Sequence, residues 1–301
     1  MINPSVAIII VNWNSYKFTF DCITSIKKCN YSNFKIILVD NGSIDFSIEQ
    51  LRKDFKSLDI IKNKSNLGFT GGNNIGISNA LKENFDYVML LNNDTKVNSD
   101  FLSFLVERLE NENNLGAIQP LILQMDDKNK VWNAGGEFIK LFGLPKVIDK
   151  GKNIKSINPN KHYTEWISGC CIMLKSKVIN EVGLLDNSFF AYFEDVDWSL
   201  RIKNEGYLLG IDNRSIIYHY ESGSSKTSSK SREGFLNPVV HYYNFRNHIK
   251  LIKKHINHFN FTGAIFFQLI KLVSFSFYFI VRFRFYKLKK MWQGVIDGIK
   301  S

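Results

Sequence analysis

Phe34-Lys35-Ile36-Ile37-Leu38-Val39-Asp40-Asn41-Gly42-Ser43 decides the fold. An aliphatic, β-branched run reaches an acid and then breaks into an Asn-Gly-Ser turn. A run that is apolar on both faces predicts a strand buried between two layers. The acid then stands just beyond the strand's carboxyl end. Upstream, Val6-Ala7-Ile8-Ile9-Ile10-Val11 reads the same way and leads into Asn12-Trp13-Asn14. Downstream, Leu58-Asp59-Ile60-Ile61 is a third strand, and Tyr87-Val88-Met89-Leu90-Leu91 a fourth that ends at Asn92-Asn93-Asp94-Thr95. Helical spacing fills the gaps, at 15–29 (Phe18, Cys22, Ile23, Ile26), near 46–56 and at 73–84. Strands alternating with helices predict an α/β fold with a mostly parallel sheet. Such sheets bind ligands beyond the carboxyl ends of their strands. Asn12, Asn14, Asp40 and Asp94 are therefore expected along one edge.

Each polar patch has a chemical and a plain reading. Asp40 can accept a hydrogen bond from a pyrimidine N–H or a ribose hydroxyl, or it can hold a turn. Asn66-Leu67-Gly68-Phe69-Thr70-Gly71-Gly72-Asn73-Asn74 reads as a Gly-rich loop ahead of a helix, where backbone N–H groups can approach a phosphate. It matches neither the P-loop nor the dinucleotide pattern, and a simple connector fits it as well. Asp94 can bind a hard divalent cation on a diphosphate, or cap the next helix. Glu194-Asp195-Val196-Asp197 opens a helix over 194–204. Repulsion among three carboxylates raises a pKa, as a general base requires, although acidic first turns are common. The apolar lead-in Phe189-Phe190-Ala191-Tyr192-Phe193 favours a pocket, with Trp198 as a wall. His219 ends a strand at 216–220, ahead of a Ser-rich stretch at 222–232 that reads as a mobile loop.

The 301 residues carry a net charge of +11. Eleven Lys or Arg stand against Asp297 alone between Arg246 and Ser301, so the basic character belongs to the tail. A basic tail fits an anionic membrane surface or nucleic acid. The body shows no basic pattern that would extend a nucleic-acid surface. Phe261–Val281 is apolar and about long enough to cross a bilayer, but Lys271 near its middle disfavours a span. The flanking basic and aromatic residues fit a helix in the membrane interface, and packing on the body or in a homodimer is the other reading. Cys22, Cys29, Cys170 and Cys171 have no metal-binding spacing and read as reduced thiols of a cytosolic protein. The N-terminus has no basic n-region, and its apolar run is too short for a signal peptide. From about 115 to 235 the pattern is less regular, with a loop or hairpin excursion at 131–150 and strands at 167–175, 207–211 and 216–220.

Taken together, these stretches resemble the inverting family 2 glycosyltransferases, in particular their rhamnosyltransferase-like branch. The likeness rests on Ile9–Asn14, Leu38–Ser43, Asn66–Gly76, Leu90–Thr95, Ser168-Gly169-Cys170-Cys171 and Phe193–Trp198 with Leu200-Arg201. His219 and Tyr243–Asn247 extend it. The resemblance implies an A-type glycosyltransferase fold, a Rossmann-like nucleotide-binding sandwich with a mixed central sheet. A catalytic domain would span 1–235, with a nucleotide-sugar half (1–98) and an acceptor half (99–235). A basic, apolar helical tail would follow at 236–301.

By position, the resemblance implies that Val11, Asn12, Asn14, Asp40, Asn41, Asn66, Gly71, Gly72, Asn73, Asn92, Asn93 and Asp94 bind the nucleotide-sugar. Asp40 would meet the pyrimidine. Asp94 and His219 would hold Mg²⁺ or Mn²⁺ on the diphosphate. Asp195 would be the base, supported by Glu194 and Asp197, and Trp166, Ser168, Gly169 and Trp198 would line the acceptor pocket. The strand-end motif reads Asn92-Asn93-Asp94, so it offers one carboxylate where Asp-x-Asp offers two. The Gln-x-x-Arg-Trp signature of processive synthases is absent, which implies addition of one or a few sugars. The implied donor is dTDP-rhamnose or a UDP-sugar. The implied acceptor is a glycan or lipid-linked oligosaccharide of surface polysaccharide assembly, at the cytoplasmic face of the inner membrane. A nucleotidyltransferase would want a basic Gly-rich loop after the first strand, and Asn12-Trp13-Asn14-Ser15 is not one. A non-catalytic nucleotide- or carbohydrate-binding protein on the same fold is the other alternative.

Overall fold

The N-terminal run forms strand β1 (Val6–Asn12) in the computed structural model, which describes residues 3–220, 226–231 and 233–301. Helix α1 (Tyr16–Ile26) follows and buries Thr19, Cys22, Ile23 and Ile26, one stripe at helical spacing. Next come β2 (Phe34–Asp40), α2 (Ser47–Asp54), β3 (Asp59–Lys62), α3 (Gly68–Lys82) and β4 (Tyr87–Leu91). Strands β3, β2, β1 and β4 lie side by side and parallel. Alternate residues of β1 enter opposite cores, Val6, Ile8 and Ile10 on one face and Ala7 and Ile9 on the other. Both faces of the sheet are thus covered, which is why these strands read as unbroken apolar runs.

The less regular middle completes the same sheet. It contains β5 (Thr95–Val97), α4 (Phe101–Asn111), β6 (Leu115–Gln124), β7 (Val131–Asn133) and the short strands β8 (Gly136–Ile139) and β9 (Leu144–Val147). Strand β10 (Cys171–Lys175), helices α5 (Ser176–Val182) and α6 (Glu194–Asn204), and β11 (Leu208–His219) follow. The order continues from β4 through β10, β6 and β11 to β5, with β7 beside β6. Strand β10 is antiparallel to β4 and β6, so the sheet is mixed. The two strands expected at 207–211 and 216–220 are one strand. Its register slips between Asp212 and Ile216, opposite Pro120 of β6. Proline has no N–H to give the ladder, and β11 bulges there.

Helix α3 corrects the Gly-rich loop. It begins at Gly68 rather than 73, so Gly71, Gly72 and Asn73 lie in its first turns. Gly68 has φ +75°, and a Cβ there would meet the Phe190 carbonyl oxygen at 2.5 Å. A Cβ at Gly76 would meet Ile9 Cγ2 at 2.4 Å. These glycines let the helix press onto its neighbours. All four cysteines are free, and three are buried.

The chain folds as two compact units. One comprises Met1–Glu137, Val147–Phe190 and Glu194–Glu221, and the other Phe138–Lys146, Ala191–Phe193 and Ser222–Ser301. In the second unit β12 (Lys226–Ser231) pairs with β13 (Gly234–Leu236), so part of the Ser-rich stretch is a strand. Residues 222–225 and 232 of that expected loop lie outside the described residues. Helices α7 (Pro238–Lys254), α8 (Phe261–Val281) and α9 (Phe285–Lys300) complete the unit. Their core joins Phe245, Phe279, Met291 and Val295.

Lys271 lies on the inner side of α8. Its Nζ is 3.3 Å from His248 Nδ1 and 4.3 Å from the centre of the Phe245 ring. Gln268 Nε2 approaches the same His248 nitrogen at 2.9 Å, and His248 Nε2 meets the Gly143 carbonyl at 2.8 Å. Gln268 and Lys271 of α8 therefore face protein. Ile265, Phe266, Leu269, Val273, Phe277 and Ile280 are exposed.

Candidate active site

Parallel register brings the expected residues to one edge of the sheet. Asn12 pairs with Asp40 between β1 and β2, and Ile9 with Leu90 between β1 and β4. Strand β10 starts at that edge, with Cys171 opposite Leu91. Strand β11 ends there, with His219 opposite Thr95.

Much of the nucleotide-side polarity is used to build turns. Buried Asn12 donates to the Ser43 and Ser47 hydroxyls at 3.1 Å each and accepts from Thr19 Oγ1 at 2.7 Å. Asn93 Nδ2 donates to the same Thr19 oxygen at 2.9 Å, tying the ends of β1 and β4 together. Asp40 Oδ1 accepts the Ser43 N–H at 2.9 Å, so one of its oxygens holds the turn. Asn14, at φ +49°, accepts the Ile44 N–H at 2.8 Å. Asn41 donates to Asn66 Oδ1 and the Gly68 carbonyl and accepts from Asn63 and Leu67. Asn73 Nδ2 donates to the Phe69 carbonyl at 2.9 Å. Asn12 and Asn41 thus spend their amides inside the loops.

Asp94 and His219 meet. Asp94 Oδ1 lies 3.2 Å from His219 Nε2, and both residues are buried. Asp94 sits in the turn from β4 to β5 and not at a helix start, because α4 is capped at Asp100. Asp94 Oδ1 and His219 Nδ1 have no hydrogen-bond partner among the described residues. Buried polar atoms of that kind mark a place for a ligand. Two ligands at about 2.1 Å from an octahedral cation, at right angles, stand about 3.0 Å apart. The observed separation fits such a cation. No group of three or more His, Cys, Asp or Glu suited to a metal occurs among the described residues. The remaining positions would fall to diphosphate oxygens and water, as magnesium prefers. Trp132 of β7 packs edge-on against His219, with ring centres 4.4 Å apart, and no motif or spacing singles it out in the sequence.

The acidic helix start stands at the amino end of β10. Asp195 Oδ2 accepts the Gly169 N–H at 2.8 Å and Oδ1 accepts the Val196 N–H at 2.8 Å. Asn92 N–H donates to the Cys170 carbonyl at 2.9 Å, so Gly169 joins the strand-end motif to Asp195. Burial pushes the Asp195 carboxyl up, against the pull of the Gly169 and Val196 N–H groups. Burial, and then the charge of Asp195, push buried Glu194 well above the ordinary carboxylate range. Glu194 Oε2 has no hydrogen-bond partner among the described residues.

Asp197 turns the other way. It is buried against Arg201, with Oδ2 2.9 Å from Nε, and Arg201 reaches the Val182 and Leu184 carbonyls. Trp198, read from the sequence as a pocket wall, lines none among the described residues. It is fully buried in the core instead, its N–H on the Gly183 carbonyl at 2.9 Å. Periodicity placed it on the helix without showing which side meets the sheet. Trp166 donates to the Glu137 carbonyl at 3.2 Å. The Ser168 N–H donates to Gln119 Oε1 at 3.0 Å, a buried polar contact that the sequence did not reveal.

A family model described as "Glycosyl transferase family 2" matches residues 7–183, so Asp195 and His219 lie beyond the match. The chain is 26% identical over 255 residues to "dTDP-rhamnosyl transferase RfbF" of Shigella flexneri, covering 84% of this chain and 81% of that one. It is 29% identical over 213 residues to "Low-salt glycan biosynthesis hexosyltransferase Agl10" of Haloferax volcanii, covering 68% of this chain and 63% of that one. The solved structure of GalNAc-T7 with UDP, GalNAc and Mn²⁺ superposes with a TM-score of 0.64 at 16% identity, covering 83% of this chain and 48% of that one. The match therefore spans under two thirds of the Agl10 protein and about half of the GalNAc-T7 chain. At that identity the structural likeness speaks for the fold alone.

Proposed function

This chain belongs to glycosyl transferase family 2 and has the A-type fold of such enzymes, and from that premise we propose that it transfers a sugar, with inversion, from a nucleoside-diphosphate donor to an acceptor hydroxyl. The observation that carries this reading is the convergence, on one sheet edge, of the Asp94–His219 pair and an oriented Asp195. The kinship to a dTDP-rhamnosyl transferase favours dTDP-rhamnose, with UDP-sugars as the other donor class. A glycan or lipid-linked acceptor of surface polysaccharide assembly completes the proposal.

The roles follow from placement. Asp40 receives the pyrimidine or ribose at the end of β2. Asp94 and His219 hold Mg²⁺ or Mn²⁺, which would supply positive charge to the departing diphosphate. Asp195 is aimed by two backbone N–H groups, and each carboxylate oxygen keeps a lone pair. It takes the proton of the acceptor hydroxyl as that oxygen bonds to the anomeric carbon and the carbon–phosphate-oxygen bond breaks. A proton affinity raised by burial suits that task. Burial, and then the charge of Asp195, push the neighbouring Glu194 carboxyl up as well. Asp197 acts on the site through Arg201 and the fold of the helix.

The tail reading is peripheral attachment to an anionic membrane surface. Helix α8, of 21 residues and mean hydropathy 1.9, is long and apolar enough to cross a membrane. Its exposed face is apolar and its inner face carries Gln268 and Lys271, so lying in the interface leaves no charge in lipid. The deciding experiment is Asp195→Asn, assayed with dTDP-rhamnose and UDP-sugars. Loss of transfer with donor affinity retained supports the proposal. Full activity would refute Asp195 as the base.

A further inference from the structure

Three buried polar atoms that lack a hydrogen-bond partner among the described residues belong to one cluster: Asp94 Oδ1, His219 Nδ1 and Trp132 Nε1. The sheet assembles it. His219 of β11 pairs with Gln124 of β6, and Leu123 of β6 pairs with Val131 of β7. Trp132 is thereby set beside His219, its ring edge-on at 4.4 Å, and His219 touches Asp94 at 3.2 Å. The other buried indoles are satisfied: Trp166 donates to the Glu137 carbonyl and Trp198 to the Gly183 carbonyl. A buried donor left without an acceptor carries its full desolvation cost, and an indole N–H can only donate. The group that completes it must offer an acceptor lone pair. The Lys150 ammonium stands 6.0 Å over the same indole ring, which favours an anion.

We propose that Trp132 is a diphosphate-binding residue, its indole N–H donating to a phosphate oxygen of the nucleotide held at Asp94 and His219. This rests on the transferase reading above. It adds an N–H that meets phosphate oxygen directly, beside the cation that Asp94 and His219 would hold.

The test is calorimetric titration of the full chain with UDP, dTDP and uridine, each in Mg²⁺. Trp132→Phe keeps an aromatic edge against His219 and removes the N–H. It should bind the preferred diphosphate about tenfold more weakly, the scale of a hydrogen bond to a charged group, and bind uridine as wild type does. Equal diphosphate affinity in the two proteins overturns the inference and leaves the transferase reading standing. An equal loss for uridine overturns it too, because the role would then be structural. A wild type that binds neither diphosphate overturns both. Should Trp132→Phe fail to fold, ¹⁵N-indole spectra of a Trp13→Phe protein replace it. A buried indole N–H should then shift on adding diphosphate and Mg²⁺, and unmoved indole signals overturn the inference.

Discussion

His219 Nε2 lies 3.2 Å from Asp94 Oδ1 because β11 runs antiparallel to β5 and sets His219 opposite Thr95. Two residues far apart in sequence are joined by one sheet register. A buried carboxylate and imidazole at that distance, with Oδ1 and Nδ1 both lacking hydrogen-bond partners among the described residues, are the observation behind the proposed cation site.

Either Asp94→Asn or His219→Ala should therefore remove most of the gain in nucleoside-diphosphate affinity that Mn²⁺ gives. The expected loss is about tenfold or more, since each contact to a charged group contributes about 1.5–3 kcal/mol. Titration calorimetry with and without Mn²⁺ measures it. The variants should bind the free nucleoside as wild type does. A variant that kept the full Mn²⁺ effect would place the cation elsewhere.

The sequence reveals the strands whose surroundings are uniform. Strands β1, β2 and β4 are covered on both faces, so each is a continuous apolar run with a polar stop, and the stops are the candidate site residues. Strand β6 escapes notice because Gln119 and Pro120, although buried, interrupt its apolar run. Strand β11 reads as two pieces because its bulge at Asp212–Ile216 is polar. The start of α3 reads as a loop because its glycines, present for close packing against Ile9 and Phe190, are also what a flexible connector contains. Side-chain direction is the level the sequence does not reach. Nothing in residue type separates Asp195, oriented by Gly169, from Asp197, paired with Arg201.

That difference is measurable. Asp197→Ala leaves the Arg201 guanidinium without its buried counter-charge and should destabilise the fold by about 3 kcal/mol or more, seen as a lower urea midpoint. Below the transition, the surviving folded enzyme should keep most of its kcat. Asp195→Asn should do the reverse, removing turnover with little change in the urea midpoint. Loss of kcat in well-folded Asp197→Ala would assign Asp197 to the chemistry.

The raised pKa of Glu194 gives a pH dependence with a definite sign. A carboxyl that holds its proton more tightly folded than unfolded contributes stability that is fully present below its unfolded value, about 4.3. That contribution is lost as pH rises through the folded value. Glu194→Gln stays neutral at every pH. It should match wild type in melting temperature near pH 4 and exceed it by a few degrees at pH 8. A gain independent of pH would mean that packing, and not ionisation, is responsible.

The second unit predicts its own surface chemistry. Exposed Arg282 and Lys289 and partly exposed Arg284 and Lys290 follow the apolar outer face of α8, while Lys287 is buried and cannot serve as a surface charge. Charge reversal at 282, 284, 289 and 290 should abolish sedimentation with anionic vesicles at low salt, because each cation near such a surface contributes about 1 kcal/mol. Wild-type binding should also weaken as salt rises. Phe266→Asp with Phe277→Asp, both on the exposed face, should weaken vesicle binding even with all charges in place, since attachment scales with buried apolar area. Lys271→Met should have no such effect, because Lys271 faces His248 and Phe245 inside the unit. Unchanged sedimentation of the charge-reversed protein would show that these cations do not carry the attachment.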